Sequence, residues 1–216
     1  MSSKNREIEI RLFDIDVPKI KKILKKNNSK LVQKKVLFKI FKYNHPQDKK
    51  DSMIRIRDEG KNITMTIKTD LKAQFVIERE IIINNMEEGD AILKFLGCTT
   101  EYTVEKFREI WQLEGCKEIV FDTYPGLPTY MEIDCHSIDS LKKVAKLLGY
   151  SIKDHTTRGA GDLYYELYGI KQTKEEIKKT NLTFKNAKQK LKPKKNKKLF
   201  DELINSQLKY IKKHKM

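Results

Sequence analysis

The sequence has 216 residues, a length that suits one large domain or a domain with an extension. Hydrophobic residues make up 38% of the chain, and the formal net charge is +16, with much of the positive excess after residue 170. We therefore expect polyanionic partners, such as phosphates, nucleotides, nucleic acid or an anionic surface. No apolar run reaches membrane-spanning length and the polar start lacks a signal-peptide pattern, so we predict a soluble cytoplasmic protein without membrane contact.

The first predicted element is a strand over residues 7–11, where charged and apolar side chains alternate with period two. In a strand this spacing places Glu7, Glu9 and Arg11 on one face and the two isoleucines on the other. The charged face then either meets water or lines an enclosed polar cavity. A helix capped by Asp16 follows the strand.

The middle of the chain is mostly strand. Further strands are predicted over 31–43, 53–57, 63–68, 75–83, 104–111, 117–123 and 130–134, and helices over 86–96 and 137–148. The second and third of these strands form a hairpin around a glycine-containing turn. Because tight turns join most strands, we predict an α+β fold: an eight-stranded antiparallel sheet, closed or nearly closed into a β-barrel tunnel, with helices packed outside.

The pattern weakens after residue 150 and becomes basic. Residues 173–176 form a capping-box pattern that predicts a Lys-rich helix, and 185–198 are nearly all Lys, Asn and Gln. A weak amphipathic helix follows. We divide the chain into a domain over 1–169 and a basic tail over 170–216, helical or partly disordered. The tail predicts a weak nucleic-acid contact, or only a solvated charge.

The cysteines, the histidines and several aromatic residues show no pattern that indicates a catalytic or metal site. Cys98, Cys116 and Cys135 lack the spacing of a metal site, and we expect reduced thiols. The four histidines also lack ligand spacing. Trp111 and the tyrosines of 164–168 are expected to pack in the interior.

Charged residues recur with period two along these strands, in both signs. The basic members are Arg11, Arg55, Arg57, Lys68, Lys106 and Arg108. The acidic members are Glu7, Glu9, Glu78, Glu80, Asp122, Glu132 and Asp134. If the sheet curls, these faces converge on a polar interior within an apolar shell. Buried ion pairs add little stability compared with hydrophobic packing, so such an interior favours a charged ligand.

The types of charged group indicate which ligand the polar interior would bind. Arginine forks match phosphate oxygens, and paired carboxylates such as Glu7 with Glu9 and Glu132 with Asp134 can hold a hard divalent cation. The basic groups exceed the needs of one phosphate, so a linear triphosphate with a metal is the predicted guest. The alternative is a half-exposed sheet whose charged pairs face water.

Six short motifs, in this order and spacing, resemble the CYTH or triphosphate tunnel metalloenzyme superfamily. Residues 7–11 resemble its E-x-E-x-K element, 54–57 its L-R-I-R strand, 64–68 its L-T-x-K strand, 77–80 its E-x-E strand, 105–108 its K-x-R element and 121–134 its D…G-L-x-x-(F/Y)-x-E-I-E element. Each motif alone is weak, but the ordered set is specific. The resemblance covers roughly residues 6–150.

The resemblance implies an eight-stranded tunnel that binds triphosphates. It implies that Mg²⁺ or Mn²⁺ is held by four acids: Glu7, Glu9, Glu132 and Asp134. It implies phosphate binding by five basic residues, Arg55, Arg57, Lys68, Lys106 and Arg108, to which the residue pattern adds Arg11. It leaves three roles open for Glu78, Glu80 and Asp122: binding a second metal, activating water or orienting a lysine.

One departure from the family pattern concerns the reaction. Arg11 stands where the family usually has Lys, and an arginine cannot exchange a proton as a lysine does. Lys68 or Lys106 would then take that role. The superfamily includes triphosphatases and class IV adenylyl cyclases, and no His-Phe element precedes the first motif as in those cyclases. We therefore predict a triphosphatase, with a cyclase making cyclic AMP and pyrophosphate as the first alternative. A non-catalytic polyphosphate- or RNA-binding module is the second, and a homodimer is also left open.

Overall fold

The computed structural model describes residues 8–47, 51–69, 77–154, 159–170 and 181–216. Its strands are β1 (Glu9–Leu12), β2 (Lys30–Asn44), β3 (Ser52–Asp58), β4 (Ile63–Thr69), β5 (Ile77–Ile83), β6 (Thr99–Gln112), β7 (Cys116–Thr123) and β8 (Tyr130–Cys135). Its helices are α1 (Val17–Lys26), α2 (Met86–Phe95), α3 (Ile138–Leu147), α4 (Ala160–Tyr168), α5 (Ala187–Lys190) and α6 (Lys197–His214). A 3₁₀ turn spans Ile152–Asp154.

The strands form one antiparallel sheet in the order β1-β8-β7-β6-β2-β3-β4-β5. The α+β class and the eight antiparallel strands are thus confirmed. The predicted closure is wrong for the part of the chain that the structure describes, because β1 pairs only with β8 and β5 only with β4. Both strands are short, with four and seven residues, whereas the central strands β2 and β6 have 15 and 14.

Helix boundaries follow the capping residues in the sequence. The Asp16 side chain accepts a hydrogen bond from the backbone N–H of Lys19 at 3.0 Å, and Ser137 caps α3 by accepting from Ser140 at 3.1 Å. Each bond satisfies one N–H that the first helical turn leaves without a partner. The predicted helices after Asp16 and Ser137 are therefore confirmed within one or two residues.

The apolar side of the sheet carries the cores. The largest cluster joins the apolar residues of β1, β7 and β8 to α1 and α3, through side chains such as Ile20, Leu24, Met131 and Val144. A second cluster seats α2 on β3. Gly89 lets α2 approach closely, since a Cβ there would lie 2.5 Å from the Ile83 side chain. Helices α1, α2 and α3 thus cover the face opposite the charged one.

The C-terminal residues pack against the same domain. Leu182, Phe200 and Ile204 share a buried cluster with Leu127 and Tyr130 of the sheet and its β7–β8 loop. A further cluster joins residues near the end of α6 to the sheet. The predicted helix at 173–176 lies outside the described residues, and the division at 169/170 stays a prediction. None of the described helices combines the length and apolar character needed to cross a membrane.

The expectation of three reduced cysteines is corrected for two of them. Cys116 and Cys135 are directly paired between β7 and β8, and their sulfurs form a disulfide bond. The cross-strand register, which sequence spacing does not show, brings the two together. Cys98 is a buried free thiol.

Candidate functional site

Strand register places the predicted charged residues on one face of the sheet, here called the charged face. Directly opposed residues of an antiparallel pair share a face. On one half of the sheet the pairs run Lys42 to Arg55 to Thr66 to Glu80, and Lys68 lies opposite Glu78. On the other half they run Arg108 to Asp122, Glu132 to Arg11, and Asp134 to Glu9. The described members of the predicted set therefore share this face, whereas Glu7 lies outside the described residues.

Asp122 is the centre of the first ionic cluster and has no exposed surface. Its carboxylate accepts hydrogen bonds from Lys106 Nζ at 2.6 Å and from Arg108 Nε and Nη2 at 2.8 and 2.5 Å. Burial alone would raise the pKa of Asp122, but Arg108 and Lys106 outweigh it and lower this pKa to about 2. Asp122 therefore remains ionised and holds both cations in place.

Of the two cations bonded to Asp122, Lys106 loses its proton more easily. Burial and the neighbouring Arg108 charge lower the pKa of Lys106 to about 8, although Asp122 opposes the change. The pKa of Arg108 is instead raised, because its two bonds to Asp122 and the nearby Glu132 outweigh burial. Lys106 can therefore gain or lose a proton near neutral pH, which Arg108 cannot.

Arg11 joins the carboxylates of Glu9 and Glu132. Its Nη2 lies 2.8 Å from Glu9 Oε1 and its Nε lies 2.7 Å from Glu132 Oε1. Burial lowers the pKa of Arg11, but the two carboxylates raise it overall. Glu132 also accepts a hydrogen bond from Arg108 at 3.2 Å. Glu132 thus links the Asp122 cluster to β1.

The second ionic cluster lies on β3, β4 and β5. Arg55 Nη2 is 3.4 Å from Glu78 and 3.7 Å from Glu80, and Lys68 Nζ is 3.3 Å from Glu78. Burial and the adjacent Arg57 charge lower the pKa of Arg55 to about 10. Arg57 Nη2 is 3.6 Å from Glu80 and also contacts Glu59. Like charges are therefore held close together on these strands.

Two polar atoms of this cluster are buried without a hydrogen-bond partner among the described residues. They are Nε of Arg57 and Oγ1 of Thr64. The two residues are opposite each other on β3 and β4, and Thr64 is only 3% exposed. A buried donor without a partner costs free energy, so these atoms indicate where a bound anion would satisfy the site.

Phe38 joins the two clusters and was missed by the charge pattern. Its ring lies 5.7 Å from the guanidinium carbon of Arg57 and 5.8 Å from that of Arg108, within cation–π range. It is 1% exposed. Phe38 lies between the apolar Val36 and Ile40 on the charged face, so this part of β2 gave no period-two charge signal.

Three further residues of the charged face were also missed. Glu118 lies opposite Asp134, and burial raises its pKa. Tyr124 and Tyr130 stack with ring centroids 6.3 Å apart, and Lys106 Nζ is 5.7 Å from the Tyr124 ring. Glu118 lies four residues before Asp122 on β7, so the two share a face by period-two spacing. That spacing could have predicted Glu118 as a residue of the charged face.

Of the four predicted metal ligands, the structure describes Glu9, Glu132 and Asp134. Among the residues that the structure describes, no three His, Cys, Asp or Glu side chains form a group able to hold a metal ion. Asp134 instead lies 3.5 Å from Lys117 and accepts a hydrogen bond from the Ile8 N–H at 3.4 Å. Glu9 and Glu132 do converge, on Arg11. Mg²⁺ commonly takes one or two carboxylates and completes its shell with phosphates and water, so this pair fits Mg²⁺.

Comparison with known proteins identifies the family. The sequence profile of the CYTH domain matches residues 5–160. The chain belongs to the CYTH domain family. No curated protein sequence matches it.

Solved structures share the CYTH fold at low sequence identity. A Vibrio parahaemolyticus protein named "putative adenylate cyclase" is 13% identical, with a TM-score of 0.64 over 74% of this chain and 97% of that one. A conserved hypothetical protein of Pyrococcus furiosus is 22% identical, with a TM-score of 0.57 over 71% and 97%. The PH1819 protein of Pyrococcus horikoshii is 23% identical, with a TM-score of 0.55 over 74% and 98%. These likenesses support the fold, and membership in the CYTH family supports an enzyme that acts on triphosphates.

Proposed function

We propose that this CYTH chain is a metal-dependent triphosphatase that binds inorganic tripolyphosphate or a nucleoside or organic triphosphate on its charged face. The observation that carries the proposal is that Arg57 and Arg108 meet at the Phe38 ring, with Arg55 near enough to feel both charges. Beside them, Arg57 Nε and Thr64 Oγ1 are buried without a hydrogen-bond partner among the described residues. Guanidinium groups bind phosphate oxygens in pairs, and several held together suit a chain of phosphates better than a single one.

The roles of the other predicted residues follow from their contacts. Asp122 accepts hydrogen bonds from Lys106 and Arg108, which supports lysine orientation among the roles left open for it. Lys106 supplies or accepts the proton, since its lowered pKa of about 8 makes both forms accessible. Lys68 stays beside the phosphate-binding arginines as a further positive charge.

Glu80 is the best-placed described carboxylate for orienting water. It accepts a hydrogen bond from the Thr66 hydroxyl at 2.6 Å, and its side chain is about a third exposed. Glu78, paired with Arg55 and Lys68, instead fixes those two cations.

We propose Mg²⁺ or Mn²⁺ as the cofactor, held by Glu9 and Glu132, with Asp134 and Glu7 as the further predicted ligands. When bound, the ion would neutralise phosphate charge and orient the triphosphate. Arg11, paired with both carboxylates, would supply a further positive charge for phosphate oxygens.

The test is product analysis across a panel of tripolyphosphate, ATP and thiamine triphosphate with Mg²⁺ or Mn²⁺. We expect orthophosphate release that EDTA abolishes. Arg57→Met should lower kcat/KM by at least tenfold. Arg79→Met is the matched control, because Arg79 is exposed on β5 and points to the other face of the sheet.

The alternative outcomes of the panel decide the reaction class. Cyclic AMP and pyrophosphate as the main products from ATP would favour the cyclase. No turnover of any compound, with tripolyphosphate still bound, would favour a binding module.

A second candidate, polyanion binding outside the charged face, rests on the basic segment 185–198. It contains eight lysines and no acidic residue, and all eight lysines are exposed. The buried Ala187 and Leu191 anchor it to the domain. If it binds RNA, affinity should fall steeply with salt, and Lys194→Gln with Lys195→Gln should reduce that slope. The cytoplasmic location and the homodimer stay predictions.

A further inference from the structure

The turn from Tyr124 to Leu127 leads out of β7 directly beside the charged face. The Leu127 N–H donates to the Tyr124 carbonyl at 3.0 Å, and Gly126 adopts φ +76°, a left-handed conformation that favours glycine. Asp122 precedes the turn by two residues, and Tyr130 follows it by three. The position of the turn therefore sets where Tyr124 lies against Lys106.

Side chains from the C-terminal part of the chain hold this turn. The Tyr164 hydroxyl donates to the Pro125 carbonyl at 2.6 Å, and the Tyr168 hydroxyl donates to the Gly126 carbonyl at 2.5 Å. Phe200 packs so closely on Gly126 that a Cβ there would lie 2.4 Å from its ring.

Gln207 of α6 makes three of the contacts. Its side-chain oxygen accepts from the Gly126 N–H at 2.8 Å. Its nitrogen donates to the carbonyls of Leu127 at 3.1 Å and Tyr124 at 3.3 Å. Gln207 is 6% exposed, so these bonds replace water on an otherwise buried turn.

All of these holding residues lie beyond residue 160, where the match to the CYTH family profile ends. Five backbone polar atoms of the turn are bonded by three side chains of that C-terminal part. A set of hydrogen bonds of this kind specifies one conformation of the turn, whereas apolar packing alone tolerates several.

We propose that Gln207 is a positioning residue of the triphosphate site: through the turn it fixes Tyr124 against Lys106 and so aligns the Lys106–Asp122 pair with the substrate. The inference rests on the proposed function. It makes the C-terminal helix part of the reaction machinery of this chain, in addition to any polyanion contact of its basic surface.

The test compares Gln207→Leu and Gln207→Glu with the wild-type full-length protein. Leucine keeps the bulk and removes all three bonds, whereas glutamate keeps the acceptor for Gly126 and loses the two donated bonds. Val144→Ala is the control, because it weakens the core under α3, away from the turn. Each variant is assayed for tripolyphosphate hydrolysis with Mg²⁺ at a temperature where circular dichroism shows it folded.

We expect kcat to fall about tenfold in Gln207→Leu and less in Gln207→Glu, with KM changed less than kcat, because misplacement of reacting groups by fractions of an ångström costs this much. Hydrogen exchange at the amides of Tyr124, Gly126 and Leu127 should rise in parallel. Val144→Ala should lower the melting temperature and leave kcat unchanged.

Wild-type kcat in Gln207→Leu, or an equal loss in Val144→Ala, would overturn the inference while leaving the proposed function intact. A wild-type protein that neither binds nor hydrolyses a triphosphate would overturn both. If Gln207→Leu fails to fold, Tyr168→Phe, which removes one hydroxyl, is measured in the same way and should show a smaller loss of kcat.

Discussion

Replacing Asp122 by Asn tests whether one carboxylate balances the charges of the site. The substitution keeps the shape of the side chain and removes the counter-charge of Lys106 and Arg108, which are bonded to it at 2.5–2.8 Å. The drop of its pKa from 3.8 to about 2 corresponds to about 2 kcal/mol of stabilisation of the ionised form. Removing one partner of a buried ion pair typically costs about 3–5 kcal/mol.

We expect a loss of about 3 kcal/mol in the free energy of unfolding, toward the low end because Arg108 keeps its contact with Glu132. Urea unfolding at neutral pH measures it. Asp201→Asn is the control, since its pairing with Lys188 at 3.5 Å is at the surface and should contribute less than about 0.5 kcal/mol. A loss below about 1 kcal/mol for Asp122→Asn would refute the reasoning.

Three other predictions concern the same ionic clusters. As the pH falls from about 4 to about 2, Asp122 is protonated in the unfolded chain first, so the wild-type protein should lose about 2 kcal/mol of unfolding free energy that Asp122→Asn does not lose. As the pH rises from about 8 to 10.5, buried Lys106 deprotonates in the folded state first, so stability should rise, and Lys106→Met should flatten that rise in urea unfolding. Phe38→Leu should weaken tripolyphosphate binding about tenfold by calorimetry, because the ring holds two guanidinium groups together; unchanged affinity would contradict this.

Much of the sheet and of the charged face could be predicted because both depend on local spacing. Period two in 53–57 and 63–68 predicts which side chains share a face, and register then aligns Arg55 with Thr66. Capping residues such as Asp16 likewise mark helix starts within a turn.

The rest depends on long-range register and packing. Phe38 faces the arginines only because β2 pairs with β3 and β6 at the centre of the sheet. The hydrogen bond from the Gly126 N–H to the Gln207 side chain spans 81 residues of sequence. The Cys116–Cys135 pairing likewise follows from the register of β7 and β8. The closed or nearly closed barrel is predicted from the tight turns between strands, but such turns do not determine whether β1 and β5 meet.

A crystal structure of the protein with tripolyphosphate and Mg²⁺ tests the central claim most directly. We expect phosphate oxygens within hydrogen-bond distance of Arg55, Arg57 and Arg108 on the charged face. Tripolyphosphate found only on the lysines of 185–198, with the ion pairs of the charged face unchanged, would contradict the account.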